Sequence, residues 1–321
     1  MPGFLKKVDP LLIGIIAATI IAFIVPARGT FADVFSVATK LAIALLFFLY
    51  GARLSTKEAL RGLTNWRLHL TIVVFTFVVY PLIGLGMRPS TAIISSELYQ
   101  GILFLTLVPS TVQSSVALTG IARGNVPGAV VAASMSSLLG VLLTPLLVML
   151  LMGAGDGIHV DTSVFIDISL QLLLPFVLGQ LAHNFIPPVR DIAKSKATKI
   201  VDRGSIWMVV YSAFSQGIVA GVWGDVSVWE IVFLVVFSGV LVAAMLWVTK
   251  WVPERLGFSY EDRVAIQMCG TQKSLATGLP MASVIFGGAT LGLLIIPLMI
   301  YHLVQLVMCS AYVSRLAAAP Q

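Results

Sequence analysis

The sequence predicts an all-α polytopic membrane protein with ten transmembrane helices in two inverted five-helix repeats. Three observations carry this expectation. Of 321 residues, 58% are hydrophobic and only 11% charged, where soluble domains carry about 25% charged residues; the mean hydropathy is +1.00. Ten apolar stretches approach the roughly 20 residues needed to cross a hydrocarbon core of about 30 Å. Lys and Arg collect in alternate connections between those stretches. No soluble core hides so much apolar surface, which disfavours a water-soluble enzyme or a nucleic-acid binder. The net charge of +6 would suit an anionic partner in a soluble protein, but in a membrane chain such a surplus sets orientation.

The spans follow in order. Leu11–Val25 is short and follows Lys6 and Lys7 as a signal peptide would; it lacks a small-residue cleavage site and runs on to Pro26, so it reads as a retained span. Asp33–Leu54 holds Lys40 near its start, where the amine reaches the outer interface. Leu68–Met87 is followed by Leu98–Ile121, which contains Pro109 and a polar run. Val126–Met152, Val164–Ile186, Asp202–Val222 and Val228–Trp251 come next. Val264–Phe286 carries Gly270-Thr271-Gln272-Lys273-Ser274 and Pro280, and the tight turn Gly287-Gly288 leads into Gly288–Val313. Sixteen of the twenty Lys and Arg fall in connections on the N-terminal side; Arg28 and Arg88 lie opposite, and Lys40 and Lys273 lie inside spans. That asymmetry places both termini in the cytoplasm and requires an even number of spans. Cys269 and Cys309 lie in apolar stretches, so no disulfide framework is expected.

Ten spans split into 1–155 and 156–321, and an odd number per half inverts the second half relative to the first. Short matches recur in the same order. Ala22-Phe23-Ile24-Val25-Pro26 resembles Asn184-Phe185-Ile186-Pro187, and Leu142-Leu143-Thr144-Pro145 resembles Leu294-Ile295-Ile296-Pro297. Gln113-Ser114-Ser115-Val116-Ala117-Leu118-Thr119-Gly120 aligns with Gln272-Lys273-Ser274-Leu275-Ala276-Thr277-Gly278 across a single gap.

The fourth and ninth spans hold the chemistry. Polar backbone does not face lipid unsatisfied, so a helix interrupted by Pro and hydroxyls packs on protein or lines a wet cavity. Ser110, Thr111, Gln113, Ser114 and Ser115 beyond Pro109, and Thr271, Gln272, Ser274 and Thr277 in the other half, supply oxygens and half-helix ends near mid-bilayer. The same hydroxyls also serve merely to join packed helices. Lys273 costs roughly 2.5–3.5 kcal/mol at a span centre, so a counter-charge or a hydrated cavity is expected beside it. It lies ten residues past Arg263, about 15 Å deep by helical rise, too deep to snorkel. His302 and Gln305, one turn apart, either line the same cavity or make an interhelical hydrogen bond. His183 is given no role. Gly217–Gly221 and Gly288–Gly292 have the spacing of packing faces. The motifs HExxH and GxSxG and paired intramembrane aspartates are all absent from the sequence, which argues against an enzyme.

These residues resemble the bile acid:sodium symporter family, solute carrier family 10, most of all the branch of its orphan seventh member and bacterial relatives. The likeness covers nearly the whole chain, including Ala122-Arg123-Gly124-Asn125-Val126, and is most specific in Gln113-Ser114-Ser115 and Gly270-Thr271-Gln272-Lys273-Ser274. It implies a panel of spans 1, 2, 6 and 7, a core of spans 3–5 and 8–10, and broken, crossing spans 4 and 9. Sodium and an organic anion, bile-acid-like or a small carboxylate, would bind beside that crossing.

Carried over residue by residue, Ser114-Ser115 stand at the family's Ser-Asn pair, and Ala129 and Ala133 replace a Ser and a Thr. Met268 replaces the glutamate shared by both sodium sites, Lys273 replaces an asparagine, and Thr76 a span 3 glutamine; His302-Leu303 match a His-Asn pair. The resemblance thus implies substrate contacts at Thr111, Gln113, Lys273, Ser274 and His302. Ion-binding residues or their remnants are Thr76, Ser114, Ser115, Met268, Thr271, Gln272 and Lys273. A carboxylate lost and an ammonium gained suggest that Lys273 supplies the charge sodium supplies elsewhere, with coupling weak, absent or carried by protons. No cofactor or metal centre is expected, and the partners are a small organic anion and membrane lipid, in the inner membrane, without nucleic acid. The expected function is secondary active transport by alternating access. The alternatives are a non-transporting regulator of ion (calcium) homeostasis and a cation/proton antiporter, the latter weakened because Asp33, Glu97 and Asp202 lie at or outside span ends.

Overall fold

A computed structural model describes residues 10–53, 65–152, 169–193, 195 and 198–318. The start of the sixth span at Val164, the 155/156 boundary and the basic residues Lys6, Lys7, Lys57, Arg61, Lys194 and Lys196 lie outside them.

The described chain is helical. In order it forms α1 (Pro10–Ile24), α2 (Gly29–Arg53), α3 (Trp66–Val74), a π-turn (Phe75–Val79), α4 (Tyr80–Gly86), α5 (Ser96–Leu107), α6 (Gln113–Ile121) and α7 (Val126–Leu151). A second π-turn (Ser169–Leu173) opens α8 (Leu174–Phe185), followed by α9 (Pro187–Ala193) and α10 (Thr198–Ala220). The chain continues with α11 (Val228–Arg255), α12 (Tyr260–Thr271), α13 (Leu275–Ile285) and α14 (Leu291–Ala318). Among the described residues five helices are long and apolar enough to cross a membrane unaided: Gly29–Arg53, Trp66–Ala92, Val126–Leu151, Val228–Arg255 and Leu291–Ala318. A sixth counts if the bent pair Leu170–Phe185 and Pro187–Ala193 is one span. The fourth and ninth expected spans are each divided into short halves, and α10 opens with Lys199, Asp202 and Arg203.

Two compact units divide the chain. The first takes the described residues of Met1–Leu54, Asp161–Asp225 and Leu279–Leu293. Here α2 and α8 cross at backbone contact: a Cβ on Gly51 would lie 2.1 Å from the Phe176 carbonyl oxygen, and one on Gly179 2.0 Å from that of Phe48. The last carbonyls of α2, which have no partner within the helix, are taken by α8. Gln180 donates to Gly51 O at 2.8 Å and His183 Nδ1 to Ala52 O at 2.6 Å. Arg53 forks onto Asp202 at 2.8 and 3.0 Å and donates to Ala193 O at 2.9 Å. His183, left without a role above, is a helix cap.

The glycine pairs need a correction. Gly217 and Gly292 do pack, both against Trp223, where a Cβ would lie 2.6 and 2.7 Å from the indole. Gly221 and Gly288 do not: their φ values of +75° and +72° make them left-handed turn residues, a conformation open to glycine at little cost.

The second unit takes the described residues of Ser55–Val160, Val226–Gly278 and Leu294–Gln321. Glu230 joins the starts of two of its helices. Its carboxylate accepts from Ser227 N at 2.8 Å, completing a capping box on α11, and from Ser95 N at 2.7 Å at the start of α5. A polar knot holds the far ends of α6 and α12. Asp262 accepts from Asn125 at 2.7 Å and from Asn65 at 3.1 Å, and Tyr260 donates to Ala122 O at 3.1 Å.

Candidate functional site

Both helix breaks, and every candidate site residue, belong to the second unit. The first break has a local cause. Pro109 has no N–H and pushes its predecessor out of helical space, and Val108 is extended (φ −76°, ψ 154°). The second has no proline beside it. Gln272 is extended (φ −91°, ψ 142°), and its neighbour is held by another helix: Gln305 of α14 accepts from Lys273 N and donates to Lys273 O, both at 2.8 Å. One side-chain amide pairs with one peptide as a neighbouring strand would.

Breaking a helix frees carbonyls that must find donors inside the membrane. After α5, Leu107 O accepts from Thr144 at 2.8 Å and Pro109 O from Ser274 N at 2.8 Å. Ser110 N turns to Ser136 Oγ at 3.0 Å, leaving Thr106 O without its helical donor. After α12, Cys269 O accepts from Ser110 Oγ at 2.6 Å, and Lys273 O also accepts from Thr111 Oγ1 at 2.8 Å. Thr271 O accepts from Tyr80 at 2.5 Å and Tyr301 at 2.9 Å. The two breaks therefore complete each other's hydrogen bonding.

Lys273 closes the account. Its side chain is 0% exposed, and Nζ donates to Thr76 O at 2.9 Å, Thr106 O at 2.8 Å and Val108 O at 2.8 Å. The Tyr80 ring lies beneath it, 4.2 Å from Nζ to the centroid. Thr76 O is available because of the π-turn: Tyr80 N bonds Phe75 O, and Pro81 has no N–H to offer Thr76. Three carbonyl acceptors match the three donors of an ammonium; a neutral amine would aim its lone pair at one of them. The expected counter-charge or wet cavity is replaced by backbone dipoles and an aromatic face. Among the described residues Lys273 has no carboxylate partner.

The other candidates fall around this cage. Ser114 and Ser115 both donate to Gln272 Oε1, and Ser115 also reaches Met268 O at 3.3 Å. Met268 is buried and offers only that carbonyl. Thr271 Oγ1 meets Thr249 Oγ1 at 3.1 Å. Ser274 caps α13, its Oγ accepting from Thr277 N at 3.2 Å. Gln305 Nε2 meets His302 Nδ1 at 2.8 Å, so of the two readings of this pair the interhelical bond is the one present, from Gln305 to the Lys273 peptide. Gln113 stands apart, exposed at the start of α6. Among the candidate residues, two buried polar atoms have no hydrogen-bond partner, Thr76 Oγ1 and Gln272 Nε2.

The carbonyls of Thr76, Thr106 and Val108 thus converge on a group that is part of the chain.

Sequence reasoning missed Tyr80, Tyr301, Thr106, Val108 and Thr144. Tyr80-Pro81 inside an apolar span was a usable signal, since Pro removes a helical donor. The carbonyls of Thr106 and Val108 left no trace in side-chain chemistry.

The fold and site define a helical integral membrane protein with two interlocked broken helices, an arrangement suited to secondary transport. The model of the SBF-like CPA transporter family matches residues 9–318, and the chain belongs to that family. It is 45% identical over 317 residues to the uncharacterized protein PA2026 of Pseudomonas aeruginosa, covering 98% of this chain and 94% of that one. It is 41% identical over 316 residues to "Putative symporter YfeH" of Escherichia coli, covering 97% and 93%. Sodium/bile acid cotransporter 7 of Mus musculus is 30% identical over 278 residues, covering 85% and 81%. The resemblance to the bile acid:sodium symporter family is thereby shown.

Proposed function

We propose that this protein is a secondary active transporter of an organic anion, working by alternating access without a bound sodium ion. The observation that carries the proposal is the Lys273 ammonium, tethered on Thr76, Thr106 and Val108 carbonyls with no carboxylate beside it. Thr76 stands at a position of the family's second sodium site, so a covalently attached cation takes the place of a mobile one. A charge carried by Lys273 stands in for the one that would otherwise arrive with sodium, and the anion then needs no co-ion to be attracted. Lys273 acts from behind the crossing, because all three of its donors are used; direct contacts fall to Gln113, exposed at the start of α6, with Thr111, Ser274 and His302 shaping the site. Relatives named symporter and sodium/bile acid cotransporter support a transported solute and an anionic one.

The architecture we propose is ten spans in two inverted repeats, 1–155 and 156–321, with a panel of spans 1, 2, 6 and 7 moving against a core of spans 3–5 and 8–10. The makeup of the second unit, with both helix breaks in it, supports that core, while Leu279–Leu293 belong to the first unit. The bias of basic residues supports cytoplasmic termini in the inner membrane.

The test is uptake into vesicles of radiolabelled small carboxylates, sulfates and steroid anions, with sodium replaced by choline. Uptake that persists in choline is expected, and a strict, cooperative sodium requirement would overturn the proposal. The sealed state of Lys273 also suits a non-transporting regulator; absence of any vesicle uptake, with the anions still stabilising the purified protein, would favour that second reading.

A further inference from the structure

A cleft of about 510 Å³ opens on the second unit between α11 and α14. Its lining comes from two helical stripes, Ala243, Leu246, Trp247 and Lys250 on one side and Met308, Ala311, Tyr312 and Arg315 on the other. The small residues Ala243 and Ala311 make the gap, and Gly239, one turn before Ala243, has open space where a Cβ would stand. Lys250 and Arg315 lie near the C-terminal ends of their helices, where a cation also complements the helix dipole. Neither has a carboxylate partner among the described residues. Trp247 and Trp251 stack at 6.1 Å, and Arg255 lies over Trp251 at 5.0 Å, a basic and aromatic collar. Such collars sit at the membrane–water interface.

We propose that this cleft is a binding site for one anionic phospholipid, its phosphate on Lys250 and Arg315 and its acyl chain along the apolar stripes. Charge complementarity selects the headgroup: two unpaired cations converge on one mouth. The apolar walls select a lipid over a free phosphate, because from Lys250 to Ala243 they run seven residues, about 10 Å along the helix, which a soluble anion would leave empty. The cleft floor is tied to the transport machinery. Gln267 of α12, one turn before the break, donates to Leu246 O at 2.7 Å and to Tyr312 OH at 3.1 Å, one residue from each wall. A lipid seated there steadies the helix that carries Lys273, and the inference stands independently of the proposed transport activity.

The experiment uses the full chain in detergent micelles and follows quenching of tryptophan fluorescence by brominated phosphatidylglycerol or brominated phosphatidylcholine, with Trp247→Phe identifying the local signal. Phosphatidylglycerol should quench the Trp247 signal at a several-fold lower mole fraction than phosphatidylcholine. The double variant Lys250→Gln and Arg315→Gln should weaken phosphatidylglycerol binding by about tenfold and abolish the preference. Ala243→Leu with Ala311→Leu should also abolish it while leaving both cations in place. Equal quenching by the two lipids, a preference that survives either double variant, or displacement by millimolar glycerol phosphate would each overturn the proposal.

Discussion

The two helix breaks look alike in sequence and are made differently. The first has a local cause in Pro109, which disfavours helix at Val108. The second has no such residue beside it; Gln272 and Lys273 are pulled straight by Gln305 from a helix more than thirty residues downstream. The matched runs also divide the labour. Gln113 is exposed whereas Gln272 is buried and receives Ser114 and Ser115. Ser114 and Lys273 occupy the same place in the alignment, yet Ser114 is a donor to the other break and Lys273 is the cation that collects the first break's carbonyls.

Removing the donor should break the comparison most severely. Lys273→Met leaves the carbonyls of Thr76, Thr106 and Val108 buried and unpaired, a loss of roughly 2–4 kcal/mol that thermal unfolding of the purified protein will read. A melting temperature equal to that of the parent would show that the cage does not hold the breaks together. Next comes Gln305→Leu, which strands the N–H of Lys273 and leaves its C=O to Thr111 alone; a cost of about 2 kcal/mol is expected. If the second break is imposed from outside, this variant should also loosen hydrogen exchange at residues 271–274, whereas a break encoded locally would be unaffected.

The first break should be sensitive to volume instead. Gly140→Ala places a methyl 2.7 Å from the Pro109 ring, an overpacking cost of about 1–3 kcal/mol, and full stability would contradict that close approach. Tyr80→Phe keeps the ring beneath the ammonium but removes the hydroxyl from Thr271 O and Tyr301, with an expected loss of about 1 kcal/mol. The smallest effect on stability belongs to Gln113→Ala, within about 0.5 kcal/mol because the side chain is exposed. Its effect should be on anion uptake, as a raised KM with unchanged melting; unchanged KM would remove Gln113 from the substrate site.

Much of this molecule was legible in residue order. Hydrophobic run lengths marked the five long apolar helices of the described residues, Pro109 marked one break, and the polar run at Gly270–Ser274 marked the other, because burying polar groups in lipid is too costly to be accidental. The burial of Lys273 was also legible, from its distance past Arg263. Its partners were not. Backbone carbonyls are the same at every position, so which three are orphaned depends on a π-turn, on Pro81 and on Ser110 turning to Ser136.

By itself, the sequence determined that this chain enters a membrane and that two of its apolar stretches carry polar interruptions, since both depend on local composition and on the absence of water. Only the tertiary structure decided that the failures meet, that Gln305 holds one of them open, and that the buried charge is satisfied by carbonyl dipoles instead of a carboxylate or a pocket of water. Those outcomes depend on which distant groups come within 3 Å, and no local pattern specifies that.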